Sequence, residues 1–122
     1  MKLPRGALEL AISQALKSPM QHMHGAVIWK NKKIIGAGYN YHLTSPSDNQ
    51  RKLSIHSEKD SLNGLRSDQI YGSDMLAVRV SKNGELSHGA PCKGCKKLLK
   101  RKGVRKIFWY DNEGYLNSTR LN

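Results

Sequence analysis

The chain has 122 residues, two cysteines, and 21 Lys and Arg against nine Asp and Glu, for a net charge of +12. This length suits a single domain over residues 1–122, able to bury roughly two-thirds of its unfolded surface without disulfides. There is no apolar run of about 20 residues to span a membrane and no apolar leader with a cleavage site, so a soluble cytoplasmic protein with no membrane partner is expected.

In chain order, the apolar positions Ala7, Leu8, Ala11, Ile12, Ala15 and Leu16 recur three and four apart. They predict an amphipathic helix from Pro4 to Lys17, ended with the help of Pro19. Ala26 to Trp29 and Lys33 to Ala37 read as a hairpin turning at Asn31 and Lys32. Tyr41 to Leu53, rich in Ser, Asn and Pro, reads as one long irregular connection. A helix is expected from His56 to Leu65, with Ser54 as its N-cap. Met75 to Ser81 reads as a strand running into an Asn83-Gly84 turn. Cys92 to Lys102 reads as a helix with Pro91 before its first turn and Gly103 as its stop. Val104 to Tyr110 is the next strand, followed by a turn from Asp111 to Gly114 and a short strand from Tyr115 to Thr119. No internal repeat is present.

Two clusters in this order carry chemistry: His56-Ser57-Glu58 and Pro91-Cys92-Lys93-Gly94-Cys95. Together they offer one imidazole and two thiolates for zinc, with one carboxylate left over, as in the zinc-dependent nucleobase deaminases. A zinc ion with three protein ligands keeps a fourth position for water, whose pKa it lowers to about 7. Glu58, two residues from His56, is placed to carry protons between that water, a ring nitrogen and the departing ammonia. Both ligand sets fall at expected helix N-termini, where the dipole favours thiolate over thiol. Two other readings of Cys92-x-x-Cys95 are a structural zinc site and a disulfide. The structural site lacks a fourth ligand, since His22, His24, His42 and His88 show no paired spacing, and neither reading gives Glu58 a role.

The segment from His24 to Asn40, then His56-Ser57-Glu58 and Pro91 to Cys95, resembles the cytidine and deoxycytidylate deaminase superfamily over about residues 7 to 110. The resemblance implies a three-layer α/β/α fold around a mixed sheet of four to five strands. It implies one zinc per chain held by His56, Cys92 and Cys95, with Glu58 as the catalytic proton carrier. Substrate-binding positions follow from it too: Asn40 on the sugar, Ala26 beside the base, and the backbones of Ser57 and Ala90 on the base edge. It also implies a homo-oligomer. Ser57 departs from the small apolar residue usual between this histidine and glutamate, and bears on base selectivity. The connection before His56 has no second Cys/His cluster, hence a single zinc. A short antiparallel strand after the turn at Gly114 resembles the free-cytidine enzymes and some toxin-like or organellar RNA-editing deaminases. A helix-linked parallel strand would instead resemble the tRNA adenosine, deoxycytidylate and single-strand DNA enzymes.

Charge argues in another direction. Leu86 to Tyr110 holds eight basic residues and no acid, and Lys93, Lys96, Lys97 and Lys100 fall on one helical stripe, which also reads as a solvated face. A free nucleoside gains nothing from a field of this size, whereas a nucleotide or single strand is drawn to it. The expected function is a zinc-dependent hydrolytic deaminase turning cytosine into uracil in single-stranded nucleic acid or a cytidine nucleotide. The alternatives are a free cytidine or deoxycytidine deaminase, a tRNA adenosine deaminase, and a non-catalytic zinc-containing nucleic-acid-binding module.

Overall fold

Met23–Lys30 forms the strand about which the molecule is organised, because a run this apolar is stable only when paired on both edges and covered on both faces. The structure is a computed structural model that describes residues 3–43 and 53–121. This strand, β1, pairs antiparallel with β2, Lys33–Tyr39, and on its other edge with β5, Asp74–Val80. The connection to β2 is the expected two-residue turn. Asn31 and Lys32 have φ of 53° and 66°, the mirror-image turn whose twist suits a hairpin.

Next to β5 lies β7, Lys106–Tyr110, the parallel neighbour, and β8, Leu116–Arg120, returns antiparallel to it. The sheet order is β2-β1-β5-β7-β8, with the two-residue strand β6, Leu86–Ser87, added on β5. Four to five strands are expected; the mixed sheet has five in line and a short sixth, and the C-terminal hairpin is antiparallel as expected. A separate pair, β3 (Tyr41–Leu43) and β4 (Leu53–Ile55), occupies the two ends of the connection that the sequence reads as irregular. The rest of that connection, 44–52, lies outside the described residues.

Strand alternation divides the sheet into two faces. Met23, Val27 and Trp29 of β1 pack with Leu76, Val78 and Phe108 against helix α1, Ala7–Ala15. Ala26 and Ile28 pack with Ala77 and Ile107 against the opposite layer, to which Leu62, Ile70 and Leu99 belong. That layer contains α2 (Ser57–Asp60), α3 (Ser67–Ile70) and α4 (Lys93–Lys102), so the architecture is the three-layer α/β/α one. Two close approaches set the spacing. Ala7, Ala11 and Ala15 are fully buried, and a Cβ at Gly25 would collide with the Ala11 carbonyl oxygen. On the other face a Cβ at Gly38 would come within 2.5 Å of the Ser61 nitrogen, so the bare backbone of β2 is what lets α2 sit down on it.

Several boundaries differ from expectation. Helix α1 begins only at Ala7, since Gly6 takes a left-handed φ of 82° and Pro4 closes a turn through its carbonyl to Ala7 N. Helix α2 stops at Asp60 instead of Leu65: Ser61 Oγ donates to the Glu58 carbonyl at 2.7 Å, and the chain continues in tighter three-residue turns to Gly64. Ser54 does not cap it. Ser54 lies in β4 opposite His42, and His56 occupies the N-cap position without a side-chain capping bond, its ring being turned to the cysteines instead. Helix α4 matches expectation, with Cys92 at its N-cap and Gly103, φ 97°, at its C-cap. No helix of the described residues is long and apolar enough to cross a membrane.

Candidate active site and metal centre

His56 and Cys92 are both N-cap residues with extended backbones, and α2 packs on α4, so the two helix starts meet. Cys95 sits one turn into α4, with its N–H donating to Cys92 Sγ at 3.4 Å. His56 Nδ1 lies 3.1 Å from Cys95 Sγ and 3.8 Å from Cys92 Sγ. The three ligand atoms fall within 4.8 Å of one another. A tetrahedral zinc with ordinary Zn–S and Zn–N bonds would space such atoms about 3.6–3.8 Å apart, so the residues fit a metal with little adjustment. Both cysteines are free thiols, so no disulfide competes. Since α2 has four residues and α4 has ten, the helix-dipole contribution comes chiefly from α4.

The protonation of this cluster points the same way. Burial first, and then the negative charge of Glu58, push the Cys95 thiol well above its ordinary value. A thiolate there needs a cation beside it, and metal binding would release the proton.

Glu58 is 5% exposed, and its Oε1 accepts a hydrogen bond from Ser57 Oγ at 2.9 Å. Ser57 itself is 1% exposed, so this bond is shielded from water. The hydroxyl that departs from the usual small apolar residue thus orients the carboxylate. It also supplies a charge-assisted bond, stronger than a neutral one.

A cavity of about 320 Å³ opens over these groups, with His56, Cys92 and Glu58 in its wall together with Ser57, Ala90 and Asn40. Three of the four expected substrate-binding residues therefore line it. Ala26 does not: it is fully buried in the core beneath, beside Ile28 and Ala77. Asn40 is 6% exposed and ties two chain segments together: Oδ1 accepts from His24 N at 2.9 Å, and Nδ2 donates to the His22 carbonyl at 2.8 Å. One Nδ2 proton and one Oδ1 lone pair stay available to a ligand. The expected lysine stripe lies on the outer side of α4. Lys93, Lys97 and Lys100 are exposed there, and Lys96 Nζ rests over the Trp109 ring at 5.7 Å. Trp29 is core, stacked near Phe108 at 5.7 Å.

The same cavity is lined by Met20, His22, His24 and Ser54, none of which the sequence reading assigned to the substrate pocket. A signal was present for His24, which strand alternation puts on the same face as Ala26 and Ile28; His22 stands at a bend just before β1, where no local pattern places it. Burial holds the His24 imidazole below its ordinary value, against an upward pull from Glu58 and with Arg79 adding to the depression. His24 therefore enters the site as a neutral ring.

Searches among protein-family models and among curated proteins give no match. Solved structures do match. The chain is similar to a dCMP deaminase from the cyanophage S-TIM5, at 23% identity, TM-score 0.65, covering 92% of this chain and 86% of that one. It is similar to a cytidine deaminase from Burkholderia pseudomallei at 17% identity, TM-score 0.66, covering 95% and 91%. A cytidine deaminase from Mycobacterium tuberculosis matches at 18% identity, TM-score 0.59, covering 93% and 85%. At these identities the likeness is one of fold, and that fold is the cytidine-deaminase-like one.

Proposed function

We propose that this protein is a zinc-dependent hydrolytic deaminase that converts cytosine to uracil in a cytidine nucleotide or in single-stranded nucleic acid. The observation that carries the proposal is the position of Glu58, a buried carboxylate sharing one cavity wall with the imidazole and a thiol of a three-residue ligand set. A structural metal site has no use for such a group.

His56, Cys92 and Cys95 would hold the zinc. When bound, the ion supplies Lewis acidity, bringing the pKa of a water close to neutral. The chain's own residues do the rest. Glu58 accepts a proton from the attacking water and hands it to the ring nitrogen beside C4. It then passes the second proton to the amino group, so that the C–N bond breaks, ammonia leaves and a carbonyl oxygen takes its place. Ser57 Oγ keeps the carboxylate aimed through both transfers. The backbones of Ser57 and Ala90 take the base edge, Asn40 takes a sugar hydroxyl, and Ala26 stays beneath the base as packing.

The net charge of +12 supports a phosphorylated substrate. So does the likeness to the cyanophage dCMP deaminase, solved in complex with dCMP and dUMP. A second reading, a free cytidine or deoxycytidine deaminase, is favoured by the antiparallel β7–β8 hairpin. A homo-oligomer is part of the proposal.

The test is Glu58→Ala on zinc-loaded protein. Zinc content should stay at about one per chain while ammonia release from cytosine substrates falls by about 10²- to 10⁴-fold or beyond detection. Unchanged turnover would end the mechanism. Running the wild type on cytidine, CMP, dCMP, a cytosine-containing oligonucleotide and a tRNA adenosine substrate separates the readings. Inactivity on all of them, with zinc bound, would leave the non-catalytic module.

A further inference from the structure

The three described arginine pairings of this chain are not alike. Arg105 forks onto the buried carboxylate of Asp74 at 3.0 and 2.6 Å, and Arg66 pairs with Asp68 at 3.0 Å. Arg79 instead places Nη2 at 2.7 Å from His22 Nδ1, and among the described residues no carboxylate lies within ion-pair distance of it. A guanidinium whose partner is an imidazole has no carboxylate at hand to balance its positive charge. That arrangement suits an anion which arrives from solution.

Its place in the fold says which anion. In the antiparallel register of β1 and β5, Arg79 stands opposite His24, so both project to the same face of the sheet as the candidate active site. His22 stands at the bend just before β1 and lines the cavity directly. Because a guanidinium only donates, Nδ1 of His22 accepts this bond, which leaves Nε2 as the ring's free nitrogen. His22 then presents an N–H donor at the cavity mouth, backed by a fixed positive charge. His22 and His24 both line the cavity. Asn40, the residue proposed to take the sugar, bonds to the backbone of both. A base seated against His24 and Glu58, with its sugar at Asn40, would carry its phosphate to His22.

We infer that His22 and Arg79 form a phosphate subsite at the mouth of the cavity, which recognises the phosphate one sugar away from the reacting base. The subsite rests on the deaminase reading, and deepens it by assigning the discrimination between a nucleoside and its phosphorylated forms to two named residues. The phosphate could be the monoester of a free nucleotide or the diester of a strand, and the ligand chemistry at His22 is the same.

The experiment is calorimetric titration of zinc-loaded wild-type protein with reaction products, which bind without turnover: uridine, UMP, and a single-stranded oligonucleotide with one internal uridine. UMP should bind about tenfold to a hundredfold more tightly than uridine, the range of a hydrogen bond to a charged group. Arg79→Gln, which lies outside the cavity lining, should remove most of that advantage while leaving uridine affinity and the melting temperature within error, and His22→Ala should remove it as well. Arg79→Lys should restore part of it. An advantage seen with UMP alone assigns the subsite to a terminal monoester, and one shared by the oligonucleotide assigns it to a strand. Equal binding of uridine and UMP by the wild type, or a UMP advantage untouched by both substitutions, overturns the subsite while uridine binding keeps the cavity reading intact. If no product binds and no cytosine substrate releases ammonia, the cavity reading falls and the subsite with it.

Discussion

The two faces of the central sheet are made from the same strands and do opposite work. Facing α1, Val27, Trp29, Leu76, Val78 and Phe108 close over the alanine stripe of the helix with no ionisable group among them. Facing α2 and α4, β1 and β5 are equally apolar at Ala26, Ile28, Met75 and Ala77, but their ends turn polar at His24 and Arg79. The functional groups are confined to the edge of the second face, where helix starts bring His56, Glu58, Cys92 and Cys95 over the same spot. A one-residue step along β1 thus separates what holds the protein together from what would act on a ligand. This predicts that substitutions on the two faces fail in different ways.

The largest effect is expected from Cys95→Ser. Bound zinc, measured by elemental analysis, should fall from about one per chain to near none, ammonia release should vanish, and the melting temperature should drop because metal affinity contributes to folding. Retention of stoichiometric zinc would show that the ligand set has been misassigned. Ser57→Ala comes next. Loss of a hydrogen bond to a charged group, worth about 1.5–3 kcal/mol, should lower kcat by about tenfold or more with KM and the melting temperature nearly unchanged. An equal loss with Ser57→Thr, which keeps the hydroxyl, would argue that packing and not the bond to Glu58 is responsible.

The contrast between faces is sharpened by Gly25→Ala, which presses a methyl into the α1 backbone. Overpacking of this kind should destabilise the fold by about 1–3 kcal/mol in urea denaturation, while the folded fraction keeps wild-type kcat. A fall in kcat without a loss of stability would break the division between the faces. The smallest effect concerns acid. Because burial lowers the His24 pKa below 6.5, protons bind the unfolded chain more readily than the folded one. Its contribution to stability is intact above that value and is lost as pH falls through it toward the folded pKa. In His24→Gln, the drop in melting temperature between about pH 7.5 and pH 5.5 should therefore be smaller than in the wild type. An identical drop would place the acid sensitivity elsewhere.

The cluster of His56, Cys92 and Cys95 was legible because residue type restricts chemistry: an imidazole and two thiols near a carboxylate form a group that could hold a metal, and Pro91 and Gly103 bracket the helix that carries the thiols. The hairpin at Asn31 and the antiparallel β8 were legible from turn chemistry. Helix α2 was overestimated, because its periodicity continues past Asp60 while Ser61 and Gly64 redirect the backbone. Ser54 looked like a cap, and lost that role to a residue whose side chain is turned to the thiols. His24 was passed over because its face acquires meaning only once the segment is known to be a strand, and His22 because it lies at a bend outside that strand, where no local pattern aims it at the cavity.

The sequence by itself determined which side chains the candidate centre can offer, through residue types suited to a metal and to proton transfer, and the order of elements, through glycine, proline and apolar spacing. The tertiary structure alone decided the company those residues keep. Ser57 could have faced solvent, and instead donates to Glu58 in a dry wall. Asn40 could have ended a strand, and it spans to the backbone of His22 and His24. Arg79 could have joined an ion pair, and it meets an imidazole across the sheet. The last of these depends on the register of β1 against β5, which no local pattern fixes: pairing between strands far apart in sequence is set by the packing of both faces at once.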